Sequence, residues 1–489
     1  MLLRCALPCE ACHAHPNSYD PGLAALLLLS MTSAPVMAQQ SASIGVEVEG
    51  AEAAPSPSEA SPSALSAPGG PASLAPPPEA LPASLAPPPE ALSASLAAPP
   101  VTVSVEPGRG LTVGRGDDFA LNLAARLQLR DTLRVDPDVP SDADSAPEVT
   151  NELQIRTVRL WFRGHVFDPN VRYGVQLALG GNDFEAGQPS PLFDAFLDLT
   201  HLRDLSVRVG QFFVPFDRAR TVREFALETV DRTEVVRELT LDRDVGLDLY
   251  SEDRFGLGGR LAYHLGVFGG DGRNRFGGTP PGFLWTLRLA ARPFGAFDDD
   301  REGDLARTPD PRLAVGLAVA LNQQTDRPRS TTGTPSSATF DQLHAAADLV
   351  FKWHGFSVLS EVVWRQSSTP FVDAVDGTGE TVRTFARNGL GGFAQVSQML
   401  GPHVAVWARY EHLVALCPGV LGASADCAGA NDPGLVDQVN GRGRGFDAGA
   451  NLYLLGHALK VQLDWTHAFG GDRIGVGPHM VRLQLDASF

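Results

Sequence analysis

The sequence predicts an all-β protein: a 16-stranded antiparallel transmembrane β-barrel that follows a disordered Pro- and Ala-rich segment. The first observation is that apolar and polar residues alternate with a period of two from Phe119 to the last residue. The second is the final segment HMVRLQLDASF (479–489), in which Val481, Leu483 and Leu485 share one face and Arg482 lies on the other. The third is that the connections between segments alternate in length, as they do in membrane barrels.

The composition narrows the class of protein further. The 489 residues carry a net charge of −18, which argues against nucleic acid as a partner because its phosphates would be repelled. No stretch approaches the roughly 20 consecutive apolar residues that a membrane-spanning helix needs. Of the 39 basic residues, only Lys352 and Lys460 are lysines, so positive charge in this chain is almost entirely arginine.

The N-terminal region is predicted to contain no part of the barrel. Residues 1–38 read as a signal peptide, because an apolar core (GLAALLLLSMTSAPVMA, 22–38) precedes small residues at a cleavage site after Ala38. Residues 39–112 are rich in Ala, Pro and Ser, with the unit PASLAPPPEAL beginning at Pro71 and again at Pro82. Such a segment buries too little apolar area to fold, so we expect a disordered periplasmic linker. A tether that contacts the cell envelope is the alternative.

The barrel domain is predicted to span 113–489, and each strand follows from one alternating segment. The sixteen segments lie near 119–130, 153–167, 171–180, 193–200, 205–212, 244–251, 257–268, 283–292, 312–323, 340–353, 356–366, 389–400, 403–412, 444–455, 458–467 and 479–489.

Short and long connections are expected on opposite rims of this barrel. Tight turns are expected at His354-Gly355, Gly401-Pro402 and Gly456-His457, and long polar loops at 367–388 and 413–443. The exception is 293–311, a long connection on the short-turn rim. Aromatic residues near strand ends predict interfacial girdles, although Trp161 and Trp407 share the strand phase of inward arginines.

Three segments in the middle of the chain carry a resemblance to a known family. VRVGQFFVPF (207–216), RDVGLDLY (243–250) and LAYHLGVFGGDGRN (261–274) occur in the order and at the spacing found in the phosphate-selective porin O and P family. The sequence resembles that family over roughly 115–489, and its terminal Phe resembles the end of bacterial outer-membrane barrels. The resemblance implies a homotrimer in the bacterial outer membrane, with a narrow anion-conducting pore.

The resemblance also implies an inward-folded third loop that constricts the pore. Here this loop would be 213–243. Helical spacing in TVREFALETVDRTEVVREL (221–239) predicts a short helix within it, with Phe225, Val230 and Val235 or Val236 as packing contacts.

Inward-facing arginines are the candidate pore residues. Fixed positive charge attracts anions strongly where water is scarce, and the guanidinium fork matches the oxygens of an oxyanion. The alternative is that these arginines only pair with wall carboxylates such as Asp198, Asp248, Glu361, Glu411 and Asp464. The predicted anion-binding and pore-lining set is Arg126, Arg130, Arg159, Arg163, Arg208, Arg218, Arg220, Arg223, Arg260 and Arg288; Arg292, Arg365 and Arg409 on strands and Arg232, Arg237 and Arg243 in the loop are further candidates.

The sequence therefore predicts a porin for passive diffusion of small anions, with phosphate or another oxyanion as candidate solutes. The lysine cluster of the phosphate-selective members is missing, and acidic loops would repel anions, so a general porin or another anion stays open. A structural or adhesive barrel, tethered through the Pro-rich segment, is the alternative of a different class.

The remaining predictions concern the cysteines and possible chemistry. Cys417 and Cys427 are predicted to form a disulfide within one loop, because an exported protein meets an oxidising environment. No metal, cofactor or enzymatic activity is expected, since the histidines lie in no catalytic motif. The expected partners are small anions and outer-membrane lipid.

Overall fold

A computed structural model describes residues 100–136, 148–184, 190–275, 282–375, 377–416, 431–470 and 477–489. The predicted signal peptide, the linker up to residue 99, and both Cys417 and Cys427 lie outside these residues. Among the described residues, no helix is long and apolar enough to cross a membrane.

Sixteen antiparallel strands close into a barrel, as the sequence predicts. Each strand pairs with the next, and the last strand pairs with the first. In chain order, and after two shorter strands β1 and β2 described below, the barrel strands are β3 (Phe119–Asp136), β4 (Glu148–Val166), β5 (Asp168–Ala178), β6 (Leu192–Leu202), β7 (Leu205–Phe213), β8 (Arg243–Ser251), β9 (Leu261–Phe268), β10 (Leu284–Ala291), β11 (Arg312–Thr325), β12 (Phe340–Trp353), β13 (Phe356–Ser367), β16 (Gly389–Met399), β17 (Val404–Ala415), β18 (Arg444–Leu455), β19 (Leu459–Phe469) and β20 (His479–Ser488).

The C-terminal strand closes the barrel. Leu485 of β20 lies opposite Leu129 of β3, and Gln484 opposite Arg130. The terminal Phe489 continues the pairing beyond β20, since its backbone N–H and C=O both bond to Ala125, at 2.9 and 2.6 Å. Closure leaves neither end strand with an open edge along this pairing.

The outer face of the wall is apolar. Side chains that point away from the lumen include Leu129, Leu463, Leu483 and Val319, each at least 40% exposed. A water-soluble protein rarely exposes so large a continuous apolar surface, whereas the lipid-facing surface of a membrane barrel is of this kind.

Two pairs of short strands occur in addition to the sixteen strands of the barrel. β1 (Thr102–Glu106) and β2 (Gly110–Arg115) form a hairpin whose second strand pairs with the start of β3, Leu111 lying opposite Leu123. This hairpin begins within the segment that composition assigned to the linker. β14 (Phe371–Val375) and β15 (Thr381–Phe385) pair with each other in the long loop after β13.

The third long loop, residues 214–242, folds into the lumen as expected. It contains α1 (Arg218–Thr221), a single 3₁₀ turn (Glu224–Ala226) and α2 (Glu234–Leu239). The Thr233 hydroxyl accepts a hydrogen bond from the Val236 N–H and so caps α2, which is the short helix that the spacing predicted.

The loop is anchored by an apolar core inside the barrel. Val235 and Leu239 of α2 are fully buried and belong to one cluster with Val363 of β13 and Leu413 of β17. Inward positions on the neighbouring strands are small, such as Ala318, Ala320, Ala346, Gly389 and Gly391. The apolar face of the third loop therefore packs against one sector of the wall.

A second segment enters the lumen from the opposite rim. Residues 292–311, between β10 and β11, form the long connection that the sequence predicted on the short-turn rim. We name it the inner turn. The Glu302 N–H donates to the Ala226 carbonyl of the third loop at 2.9 Å, and the Glu228 N–H donates to the Glu302 carboxylate at 2.8 Å. The two inward segments thus meet inside the barrel.

The packing of α2 against Gly391 generates the first prediction. A Cβ atom at Gly391 would lie 2.8 Å from both methyl groups of Val235. We expect Gly391→Ala to displace α2 and to lower the free energy of unfolding by about 1–3 kcal/mol, the usual cost of overpacking. Urea unfolding in detergent measures this. The control is Gly401→Ala, because a Cβ there meets nothing within 4 Å. Equal unfolding of both variants and the wild type would contradict the packing described for α2.

Candidate functional site

A pocket lies between the third loop and the wall strands β3, β4 and β5. Its lining is strongly basic, with six arginines and one carboxylate among ten residues. They are Arg126, Arg159, Trp161, Gln176, Phe213, Arg220, Arg223, Glu224, Arg232 and Arg243. Four of these, Arg126, Arg159, Arg220 and Arg223, belong to the set predicted from the sequence.

The arginines that the wall contributes are held by carboxylates. Arg126 of β3 donates through two nitrogens to Asp486 of β20, at 2.9 and 2.6 Å. Arg159 of β4 lies 2.7 Å from Asp183 and 3.0 Å from Glu224 of the loop. Alternation along each strand points these side chains into the lumen.

The loop arginines differ in how well they are paired. Arg220 donates through two nitrogens to Asp242, at 3.1 and 2.6 Å, and Arg243 donates to Asp194 at 2.6 Å. Arg223 is 43% exposed along its side chain and lies 3.9 Å from Asp194, the other oxygen of which is nearer to Arg243. Arg223 is therefore a weakly paired guanidinium at the pocket.

The pKa values of the loop groups reflect an excess of positive charge. Burial alone would raise the pKa of Glu224, but Arg159, Arg232 and Arg126 together hold it well below its ordinary value. Burial and the neighbouring Arg220 lower the pKa of Arg232 to about 10. Enclosure in the barrel and nearby guanidinium groups also lower the pKa of Arg223. At neutral pH Glu224 is therefore anionic and Arg232 cationic.

Two further predicted residues lie beside this pocket. Arg163 of β4 donates to the side chain of Asn122 at 2.9 Å. Arg208 of β7 pairs with Asp198 at 2.7 Å and lies over the ring of Phe196 at 4.8 Å. Both are close enough to Arg223 to contribute to the lowering of its pKa.

The other predicted residues lie elsewhere. Arg130 pairs with Asp231 at 2.8 Å, while Arg218 and Arg288 share Asp348, at 2.7 and 2.6 Å. Arg260 is exposed at the short-turn rim, where it donates to the Pro293 carbonyl.

The remaining arginine candidates also pair with acidic groups, but only one of these, Asp447, is a wall carboxylate of the kind the alternative named. Arg292 pairs with Asp299, Arg365 with Glu238, Arg409 with Asp447, and Arg237 with Glu234. Of the carboxylates named for that alternative, Asp198 and Asp464 do pair with arginines; Glu361 accepts backbone N–H groups of Arg218 and Ala219.

Sequence reasoning missed two arginines. Arg156 lies at a β-bulge, where Gln128 faces Thr157 and Leu129 faces Ile155, so the alternation is broken. It is close enough to Glu224 to lower the pKa of that group. Arg273 comes from the loop after β9 and lies 4.1 Å above the Phe193 ring. A strict period of two gives no signal for either.

A buried polar cluster lies where the third loop meets the inner turn. The side-chain amide of Gln395 donates to Glu302 at 3.2 Å and to Glu228 at 3.4 Å. Burial and the adjacent Glu302 raise the pKa of Glu228 to about 7. Among the described residues, no group of three or more His, Cys, Asp or Glu side chains is placed to hold a metal ion.

Each of the two lysines holds an inward segment. Lys352 Nζ donates to the carbonyls of Asp298 and Arg301 in the inner turn, at 2.6 and 2.8 Å. Lys460 Nζ donates to the carbonyls of Phe225 and Leu227 in the third loop, at 2.9 and 2.5 Å. Both lysines are buried, so neither presents its charge to a solute.

Comparison with known proteins gives structural neighbours alone. No family model matches the sequence, and no curated protein matches it. Solved structures with a similar fold are outer-membrane porins. Salmonella typhi OmpF, solved with daunomycin, is 14% identical with a TM-score of 0.48, covering 76% of this chain and 98% of its own. An anion-selective porin from Comamonas acidovorans is 11% identical with a TM-score of 0.44, covering 76% of this chain and 100% of its own. The channel DcaP of Acinetobacter baumannii is 12% identical with a TM-score of 0.43, covering 76% and 98%.

Two glutamates of the third loop have pKa values that shift in opposite directions, and we therefore expect opposite effects on stability when each is replaced. Burial would raise the pKa of Glu238, but Arg387 and Arg365 lower it to about 2, whereas that of Glu228 is raised to about 7. A raised carboxyl pKa contributes stability that is present below the unfolded value of 4.5 and is lost as the pH rises through about 7. At pH 8 we therefore expect Glu228→Gln to raise the free energy of unfolding by on the order of 2 kcal/mol.

Glu238→Gln is the matched variant. It leaves buried arginines without their partner, so we expect it to lower the free energy of unfolding by about 3–5 kcal/mol at the same pH. Urea titrations in detergent at pH 5 and pH 8 measure both. Glu228→Gln should also flatten the pH dependence of stability between these values. Destabilisation by both substitutions at pH 8 would contradict the charge states assigned to the pair.

Proposed function

We propose that this protein is a bacterial outer-membrane porin through which small anions diffuse passively. The observation that carries the proposal is the basic pocket between the third loop and strands β3–β5, whose lining holds six arginines and one carboxylate. Four of these arginines pair closely with other carboxylates, whereas the nearest carboxylates to Arg223 and Arg232 among the described residues are 3.9 and 3.6 Å away. It lies inside a closed barrel with an apolar outer face, which is the architecture of a channel through lipid.

The physical basis is the attraction of an anion to guanidinium groups in a confined space. Coulomb attraction strengthens where protein replaces water, so a cluster of like charges in the lumen favours anions over cations. Arg223 is the strongest candidate for a direct contact with the solute, because its nearest carboxylate, Asp194, is 3.9 Å away and pairs with Arg243 through its other oxygen. Arg126 and Arg159 contribute to the positive electrostatic potential of the pocket, and their ion pairs also stabilise the barrel wall.

Oxyanions are the solutes that arginine recognises best, since the planar fork donates two parallel hydrogen bonds. The resemblance to the phosphate-selective porin O and P family supports phosphate as one candidate. The lysine cluster of that family has no counterpart here, so the proposal covers small oxyanions as a class and includes no preference for phosphate. The proposal also includes export through the signal peptide, a homotrimeric assembly, a disulfide between Cys417 and Cys427, and a periplasmic linker.

Planar-bilayer recording tests the proposal. In a KCl gradient, the wild-type protein should give stepwise currents with a reversal potential on the anion-selective side. Arg223→Ala should reduce that selectivity, because it removes the least compensated charge at the pocket. The matched control is Arg260→Ala, which removes the same charge at the exposed rim and should leave the reversal potential nearly unchanged. Equal shifts in the two variants would contradict the placement of selectivity at the pocket.

A structural or adhesive barrel is the second candidate. The observation that favours it is the filling of the lumen by the third loop and the inner turn, which contact each other through Ala226, Glu228 and Glu302. Complete absence of stepwise current from correctly folded protein would support this candidate and would contradict the porin.

A further inference from the structure

Buried polar groups without a partner converge on the basic pocket. Gln176 of β5 lies opposite Trp161 of β4 and is only 1% exposed, yet neither atom of its amide has a hydrogen-bond partner among the described residues. The Trp161 indole N–H, Arg126 Nη1 and Arg159 Nε also have none. Buried polar groups are nearly always hydrogen-bonded, so the grouping of these atoms around one pocket favours a ligand or water that bonds to them.

The types of these groups indicate the chemistry of that ligand. The indole N–H, the two guanidinium nitrogens and the amide NH₂ are donors, and they require acceptor oxygens on the ligand. The amide oxygen of Gln176 is an acceptor, and it requires a donor on the ligand. Because both amide atoms lack a partner, the requirement is the same in either orientation of the amide.

These requirements exclude several simple anions. Chloride, sulfate and simple carboxylates offer no hydrogen-bond donor to Gln176. Amino acids and amines do, but an ammonium group would be repelled by the six guanidinium groups of the lining. The side chains of Trp161 and Phe213 add apolar carbon atoms to the lining, and these favour contact with a carbon skeleton, which an inorganic anion lacks.

We infer that the pocket selects small organic hydroxy acids and that Gln176 determines this specificity by accepting a hydrogen bond from the hydroxyl group. The inference rests on the proposed function and names the solute class within it. In this arrangement the carboxylate of the solute lies among Arg126, Arg159 and Arg223, and the hydroxyl faces the amide.

Pairs of solutes that differ only by a hydroxyl group test the inference. The full-length protein in a planar bilayer carries a chloride current, and lactate and propionate are compared as blockers, with glycolate and acetate as a second pair. The hydroxy acid of each pair should block at an about fivefold lower concentration, as one additional neutral hydrogen bond implies. Hydrogen phosphate forms a separate arm, because it has a donor without a carbon skeleton.

Two substitutions assign the effect to Gln176. Gln176→Met keeps the length of the side chain and removes both polar atoms, so lactate and propionate should block equally. Gln342→Met is the matched control: Gln342 of β12 is fully buried, and both its amide atoms lack a partner among the described residues, but it does not line the pocket. That variant should keep the preference for lactate. Heat-modifiable mobility on gels checks that each variant folds.

Several outcomes would overturn the inference. In the wild type, equal block by lactate and propionate would overturn it. Tighter block by hydrogen phosphate than by every hydroxy acid would also overturn it. If Gln176→Met still prefers lactate, a group other than Gln176 binds the hydroxyl, and the role inferred for Gln176 is wrong. Absence of anion-selective channels overturns the proposed function itself, and it is distinguishable from equal block in channels that do select anions.

Discussion

The third loop crosses the lumen because its two sides match two different sectors of the wall. On one side, Val235 and Leu239 pack against Val363 and Leu413 in an apolar core that lies inside the barrel. On the other side, the loop presents Arg220, Arg223 and Arg232 to strands β3–β5. Burial of the apolar side stabilises the loop in the lumen, and the basic side then has a fixed position.

Charge compensation divides the arginines into two groups. Those with carboxylates at close range join neighbouring strands: Arg126 with Asp486 joins β3 to β20, where the barrel closes, and Arg482 with Asp464 joins β20 to β19. A buried ion pair contributes little net stability, but the loss of one partner is costly because the other charge stays buried. Such pairs are better suited to fixing geometry than to exchanging solutes. Arg223, with its distant and shared partner, belongs to the other group.

Much of the wall could be predicted from the sequence, and the reason is physical. Each strand separates lipid from lumen, so alternation is imposed on every one, and all sixteen strands occur where the pattern places them. The inward arginines on β3 and β4 follow from the same alternation. The bulge at Arg156 does not follow, since it breaks the period, and the inner turn appears in the sequence only as an unusually long connection.

The ion pairs within the site could not be predicted from the sequence either. Asp183 and Asp194, which hold Arg159 and Arg243, lie in or beside the second long loop, and no local pattern connects them to their partners. The helix of the third loop was predicted more successfully, because its spacing is a local signal. Long-range contacts between a loop and a wall depend on closure of the barrel, which no segment encodes alone.

The only two lysines of the chain have a structural role, which leaves recognition of anions to the arginines. Lys352 holds the inner turn and Lys460 holds the third loop, each through two backbone carbonyls. A lysine suits this task because its ammonium group can donate three hydrogen bonds in different directions. Recognition of a planar or tetrahedral anion instead favours the rigid fork of arginine. The lysines therefore position the two inward segments, and any choice between anions rests with the arginines of the pocket and the neutral groups among them.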